Sequence, residues 1–222
     1  MKKTIIFSDF DGTITERDVI LAIMEQFASA DWINLKNKIL YERTVTLKDG
    51  VEALFKMLDS SKKDEIVRFI KENVKLRSGF KDFLQFCNEN QIQFKVLSGG
   101  LDFHIEPILE NLIDKKEIIC NKANFNSKHI TIDYKYLPKN CTLCGDCGCC
   151  KIEAIENYPK ESFFRIIIGD SLTDLAPSKV ADLVFARGDL IKYLEHEKIS
   201  YIPFEDFYEV KKQLQQRLLQ QI

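Results

Sequence analysis

The sequence predicts an α/β protein: a parallel sheet sandwiched between helices, with a small helical cap inserted early in the chain. Three observations lead there. Short apolar runs rich in β-branched residues, "TIIFS", "FKVLSGG" and "FRIIIGD", each end in Ser, Gly or Asp. Helical patterns separate those runs, and fully apolar strands divided by helices mark a parallel sheet covered on both faces. The interval from Ile14 to Leu76 then breaks the alternation, being helical in pattern almost throughout.

Taken in order, "TIIFS" supplies the first strand and leads into Asp9. The patterns "VILAIMEQFA", "WINLKNKIL", "LKDGVEALFKML" and "KDEIVRFIKENV" follow as cap helices, and "LRSGF" is the return crossing. The boundaries expected are therefore residues 1–14 and 77–222 for the core and 15–76 for the cap. "FKVLSGG" is the next strand and "DFHIEPILENLI" the helix after it. An irregular stretch from Glu117 to Lys151 contains strand-like pieces ("KHITIDYKY") and a cysteine loop. "FRIIIGD", "DLVFARG" and "ISYIPF" continue the strands, with "LTDLAPSKV", "DLIKYLEHE" and "FYEVKKQLQQRLLQQI" as the helices between and after them.

With 45% apolar and 30% charged residues the chain of 222 residues has a globular balance and enough length to bury a core. A formal net charge of −2 gives no reason to expect a nucleic-acid or membrane partner. The apolar run before Asp9 is too short for a signal-peptide core or a membrane span, so the expected location is the cytoplasm. Nothing in the pattern assigns an oligomeric state.

Ligands of open α/β sheets gather outside the carboxyl ends of the strands. There the sequence delivers Asp9 and Asp11, then Ser98 with Gly99 and Gly100, then Asp170 with Asp174. Carboxylates crowded together repel unless a cation neutralises them. Hard oxygens suit Mg²⁺, which binds through one or two carboxylates, waters and substrate phosphate. Asp9 then reads as a nucleophile toward phosphorus, and Asp11, two residues on and on the same face, as general acid/base. Ser98 and the Gly99 backbone offer donors to a phosphate, the favoured reading, and a helix N-cap role for Ser98 can hold at the same time. Lys151 can neutralise phosphoryl oxygens or stand as a solvated lysine, and Asp174 supports the metal site.

The seven cysteines include five in one loop: Cys141, Cys144, Cys147, Cys149 and Cys150. Two readings stay open there, a structural Zn²⁺ site and a metal-free loop that positions Lys151. His104, His129 and His196 show no ligand spacing and read as structural or surface residues. Arg43, Glu16 and Arg17 are polar cap residues near enough in sequence to reach a substrate.

"DFDGT", "LSGG", Lys151 and "GDSLTD" together resemble the four motifs of the haloacid dehalogenase superfamily of phosphotransferases, in their usual order from Asp9 to Asp174. The resemblance implies a Rossmann-like core with a type-1 cap and a phosphatase of small phosphorylated metabolites. It also implies Asp9 as nucleophile, Asp11 as acid/base, and Asp9, the Asp11 carbonyl and Asp170 as magnesium ligands. Within the superfamily the chain is similar to the phosphoserine-phosphatase-like branch. "LSGGLDF", "CNKANF", "CGCCK" and "FARGDL" carry a closer resemblance to one group of metabolite phosphatases inside it. Phosphoserine itself is the nearest alternative substrate. The alternative of another class is a non-catalytic, cysteine-rich metal-binding or redox-sensing module.

Overall fold

The computed structural model describes residues 2–139 and 147–219. Strand β1 (Lys3–Ser8) leads through a wide turn at Phe10–Ile14 into four helices: α1 (Val19–Phe27), α2 (Trp32–Leu40), α3 (Leu47–Lys56) and α4 (Lys63–Asn73). Asp18 accepts a hydrogen bond from the Leu21 N–H and Thr46 from the Asp49 N–H, capping α1 and α3 at their otherwise unpaired donors. The chain then runs α5 (Phe80–Glu89), β2 (Gln93–Leu101), α6 (Asp102–Leu109), β3 (Ile118–Asn124), β4 (Thr131–Asp133) and α7 (Lys151–Glu156). It ends with β5 (Phe163–Gly169), α8 (Leu175–Ser178), β6 (Leu183–Ala186), α9 (Gly188–Glu197), β7 (Ile202–Pro203) and α10 (Phe207–Leu219).

Among the described residues the strands form one sheet in the order β4-β3-β2-β1-β5-β6-β7. All neighbouring pairs are parallel except β3 with β4. The order reverses direction around β1, which makes its carboxyl end the switch point where a crevice opens. Both faces of the central strands are covered. Ile6, Val96, Ile166 and Ile168 pack with the phenylalanines of α5 and α10, and Ile5, Phe7, Leu97 and Ile167 pack under α7. That two-sided burial is why these strands read as unbroken apolar runs.

The chain enters and leaves the four-helix segment through paired crossings. Thr15 bridges Leu76 in antiparallel fashion, the Glu16 N–H donates to Lys75 O, and the Arg77 N–H donates to Ile14 O. The segment does not bury a core of its own: Ile23, Leu54 and Phe55 belong to the same apolar cluster as Phe10, Phe103 and Val96.

Two elements depart from the sequence reading. Ile118–Asn124 is a full strand of the sheet, not part of an irregular stretch. Its apolar run is interrupted at Asn121, which is buried because its amide donates to Gly148 O and accepts from the Lys135 N–H. "LTDLAPSKV" forms a short 3₁₀ turn and a single helical turn. Among the described residues no helix is long and apolar enough to cross a membrane.

Candidate active site

The turn after β1 is shaped by a glycine that no other residue replaces cheaply. Gly12 has φ +77°, and a Cβ there would lie 2.5 Å from Asp170 Oδ2. Two guanidinium groups grip the turn from behind. Buried Arg77 donates to Thr13 O (2.7 Å), Gly12 O (2.7 Å) and Thr15 O (2.9 Å), and Arg187 donates to Gly12 O at 2.8 Å. Ahead of the turn the Asp9 N–H continues the ladder to Ile168 O at 2.9 Å. Asp11 Oδ1 accepts from the Val19 N–H at 3.0 Å, which ties it to the start of α1.

Lys151, the first residue of α7, reaches under the sheet edge. Its Nζ lies 2.7 Å from Asp9 Oδ1 and 2.8 Å from Asp174 Oδ1, with all three side chains buried. The second oxygen of Asp174 accepts from the N–H groups of Asp170 (3.1 Å) and Ser171 (3.3 Å). Asp170 accepts from the Thr13 hydroxyl at 3.0 Å. One oxygen from each of Asp9, Asp170 and Asp174 lies within 4.8 Å of the others, the group among the described residues able to share a cation.

The electrostatics ask for that cation. Burial holds the Asp9 carboxyl well above its usual range against the pull of Lys151, with Asp174 and Asp170 pushing the same way as burial. Burial, followed by Asp174, pushes Asp170 up to about 7. Burial works against the charge of Lys151, but Asp174 and Asp9 more than offset it and hold the ammonium charged. Ionising all three carboxyls beside one ammonium would leave two negative charges unmatched, and an oxygen-ligated divalent ion matches them.

On the second strand, Ser98, Gly99 and Gly100 fall in the irregularity of the β2–β3 ladder between Leu97 and Leu101. Ser98 Oγ accepts from the Gly100 N–H at 3.0 Å and lies 3.5 Å from Asp11 Oδ2. A Cβ on Gly99 would meet no atom within 4 Å, so its backbone borders open space. That space is a cleft of about 280 Å³ with a floor of Asp9, Asp11, Ser98, Gly99 and Asp170 and an apolar wall of Ile39, Leu47, Val51 and Leu54 from α2 and α3.

The zinc expectation finds no support. Cys141 and Cys144 lie outside the described residues. Of the rest, Cys149 and Cys150 are buried, burial pushes the Cys149 thiol up to about 12, and no described cysteine belongs to a metal-sized group. Arg43 is exposed beside Tyr193 (3.4 Å to its hydroxyl), Arg17 pairs with Glu25 on the surface, and neither they nor Glu16 line the cleft.

Several site residues escaped the sequence reading. Asp18, half-buried at the cleft, has its carboxyl pushed up to about 7 by burial and by the Asp11 charge. Its only sequence signal was an acidic residue before an apolar helix, which a plain N-cap explains. Arg77 and Arg187 act on the turn across long sequence separations, and Thr13, inside "DFDGT", donates to Asp170 157 positions away, contacts that the local sequence did not announce.

The family model of the haloacid dehalogenase-like hydrolases matches residues 6–177, spanning Asp9 through Asp174. The chain belongs to that family. Among curated relatives of this haloacid dehalogenase-like hydrolase, the 2-hydroxy-3-keto-5-methylthiopentenyl-1-phosphate phosphatase of Bacillus cereus (strain AH820) is 44% identical over 215 residues, covering 96% of each chain. The protein of the same name from Bacillus thuringiensis (strain Al Hakam) is also 44% identical, again over 96% of each chain. In fold it is similar to a phospho-aspartyl intermediate analogue of phosphoserine phosphatase, with TM-score 0.70, 19% identity, and 96% of this chain and 99% of the other covered. It is likewise similar to a phosphoserine phosphohydrolase-like protein from Francisella tularensis, with TM-score 0.68, 20% identity, and coverage of 96% and 99%.

Proposed function

We propose that this hydrolase is a magnesium-dependent phosphomonoesterase that converts 2-hydroxy-3-keto-5-methylthiopentenyl-1-phosphate to 1,2-dihydroxy-3-keto-5-methylthiopentene, a step of methionine salvage in the cytoplasm. The observation that carries the reading is the buried Lys151–Asp9–Asp174 bridge beside Asp170, in a chain 44% identical to phosphatases of that name. The apolar cap wall supports the choice of substrate, because a methylthio tail is better matched by Ile39, Val51 and Leu54 than by charged groups.

In this reading Asp9 Oδ2, left free while Lys151 engages Oδ1, attacks phosphorus in line. The ester P–O bond breaks as Asp11 gives its proton to the departing oxygen, leaving an aspartyl-phosphate on Asp9. Asp11 then takes a proton from water as that water attacks phosphorus, and phosphate leaves with Asp9 restored. Ser98 and the Gly99 N–H hold the phosphoryl oxygens, and Lys151 faces their developing charge. Asp9, Asp170 and the Asp11 carbonyl are the proposed magnesium ligands, with Asp174 holding Lys151 and the Asp170 loop. The ion supplies charge screening between a dianionic phosphate and a carboxylate nucleophile. Residues 15–76 form the cap that excludes bulk water from the acyl phosphate.

The phosphoserine alternative needs a cationic group for the substrate carboxylate; Arg43, the arginine put forward for it, stands outside the cleft, whereas Lys36 and Lys48 line it, so turnover decides between the two substrates. The test is phosphate release from the enediol phosphate made in situ, phosphoserine and other small esters, with Mg²⁺ and with chelator. Fast magnesium-dependent release from the enediol phosphate is expected; preference for phosphoserine would overturn the substrate, and release unaffected by chelator would overturn the metal.

A further inference from the structure

His104 sits where no solvent reaches, with neither ring nitrogen hydrogen-bonded. The imidazole is packed among aromatics: Phe55 of the cap lies nearly parallel to it at 6.1 Å, Phe103 meets it edge-on at 5.4 Å, and Phe10 lies at 6.3 Å. Two unpaired polar atoms in such a box cost free energy that a phenylalanine would not. The polar edge faces the site: Nε2 lies 3.8 Å from Asp11 Oδ2. Gly100 makes the approach possible, since a Cβ there would lie 2.6 Å from Nε2 and 3.2 Å from Asp11 Oδ2.

We infer that His104 is a positioning residue for Asp11, closing on Oδ2 and fixing the rotation of the carboxyl that delivers the proton to the leaving oxygen. The inference rests on the acid/base role of Asp11 proposed above. Asp11 Oδ1 is already anchored by the Val19 N–H and Oδ2 lies 3.5 Å from Ser98 Oγ, so the added contact with His104 at Oδ2 leaves one orientation. Hydrogen bonds of catalytic groups are commonly long in ligand-free structures and tighten when substrate binds. Phe55 stacking on the ring makes the contact depend on the cap: helix α3 supplies one wall of the box that holds the imidazole, so a seated cap and a correctly aimed acid occur together. A surface or merely structural histidine, the sequence expectation, explains neither the open nitrogens nor the space kept at Gly100.

The test uses the dependence of kcat/KM on the leaving group, measured with magnesium present. This quantity covers the steps up to loss of the alcohol. A p-nitrophenyl ester leaves without protonation, whereas an alkyl ester needs the acid. His104→Phe keeps the aromatic packing and removes the nitrogens; His104→Gln keeps a donor within reach of Oδ2. For His104→Phe we expect kcat/KM for p-nitrophenyl phosphate within about threefold of wild type, and a loss of about tenfold to a hundredfold for the alkyl ester, the scale of a misplaced acid. His104→Gln recovers most of the alkyl-ester rate. An equal loss on both esters in either variant, or no loss on the alkyl ester in His104→Phe, overturns the inference. If His104→Phe does not fold, by its thermal melt, His104→Leu, which also removes both nitrogens, takes its place with the same expected and overturning results. A wild-type protein without phosphatase activity on any ester would instead be a failure of the proposed function.

Discussion

Lys151 Nζ stands 2.7 Å from Asp9 Oδ1 and 2.8 Å from Asp174 Oδ1, so one buried ammonium ties the end of β1 to the loop after β5. It reaches both because the cysteine-bearing loop delivers it at the first position of α7, beneath the sheet edge. Removing one member of a buried charge set leaves the others unpaired, which costs about 3–5 kcal/mol. Lys151→Met is therefore expected to lower stability by about that much in urea melts and to abolish turnover. A variant as stable as wild type would show that the bridge does not hold the two carboxylates.

At Gly12 the backbone leaves no room for a side chain beside Asp170. Gly12→Ala adds a Cβ 2.5 Å from Asp170 Oδ2 at a residue with φ +77°. Strain of about 1–3 kcal/mol is expected, together with a loss of activity of about a hundredfold because Asp170 must move. Thermal melts and kcat read the two effects separately.

The burial of Asp170 predicts a pH dependence whose sign follows from its raised affinity for protons. Its carboxyl moves from an ordinary 3.8 to about 7 on folding. Between those values the metal-free folded chain binds more protons than the unfolded chain, so this group's contribution to stability falls as pH rises from about 4 to about 7 and is level above that. Asp170→Asn removes the effect. In chelator, the melting temperature of Asp170→Asn relative to wild type is expected to climb across that interval, and Mg²⁺ to stabilise wild type increasingly over the same range. A difference that stays flat with pH would contradict the assignment.

The apolar wall of the cleft predicts selectivity. Val51 faces the cleft from α3 beside Leu54 and Ile39. Trimming an apolar contact with a substrate tail changes discrimination by about 1–3 kcal/mol per methylene-sized group. Val51→Ser is expected to raise KM for the methylthio ester roughly tenfold while leaving p-nitrophenyl phosphate little changed, measured as the ratio of kcat/KM values.

Much of this was legible in the sequence, for a physical reason. A parallel sheet buried on both faces writes itself as apolar runs, and the switch point puts their polar endings at one edge, so Asp9, Ser98 and Asp170 could be placed side by side from the sequence alone. Ile118–Asn124 was hidden because buried Asn121, paired through its side chain with Gly148 and Lys135, breaks the run. Arg77 and His104 were hidden for a different reason. Their partners, Gly12 and Thr13 for one and Asp11 for the other, lie 65, 64 and 93 positions away, and a lone basic residue has no period to betray it. The cysteine loop offers spacing alone: Cys141 and Cys144 lie outside the described residues, and Cys147, Cys149 and Cys150 join no metal-sized group among the described ones.

The central claim, that Asp9 is phosphorylated during turnover, is tested by acid-quenching the protein during magnesium-dependent hydrolysis and reducing it with borohydride, which converts an aspartyl-phosphate to homoserine. Mass spectrometry of the peptide spanning Phe7 to Thr13 is expected to find homoserine in place of Asp9, only with substrate and Mg²⁺ present and not in Asp9→Asn. Unmodified Asp9 under conditions of active turnover, or homoserine in place of Asp11 or Asp170, would contradict the account.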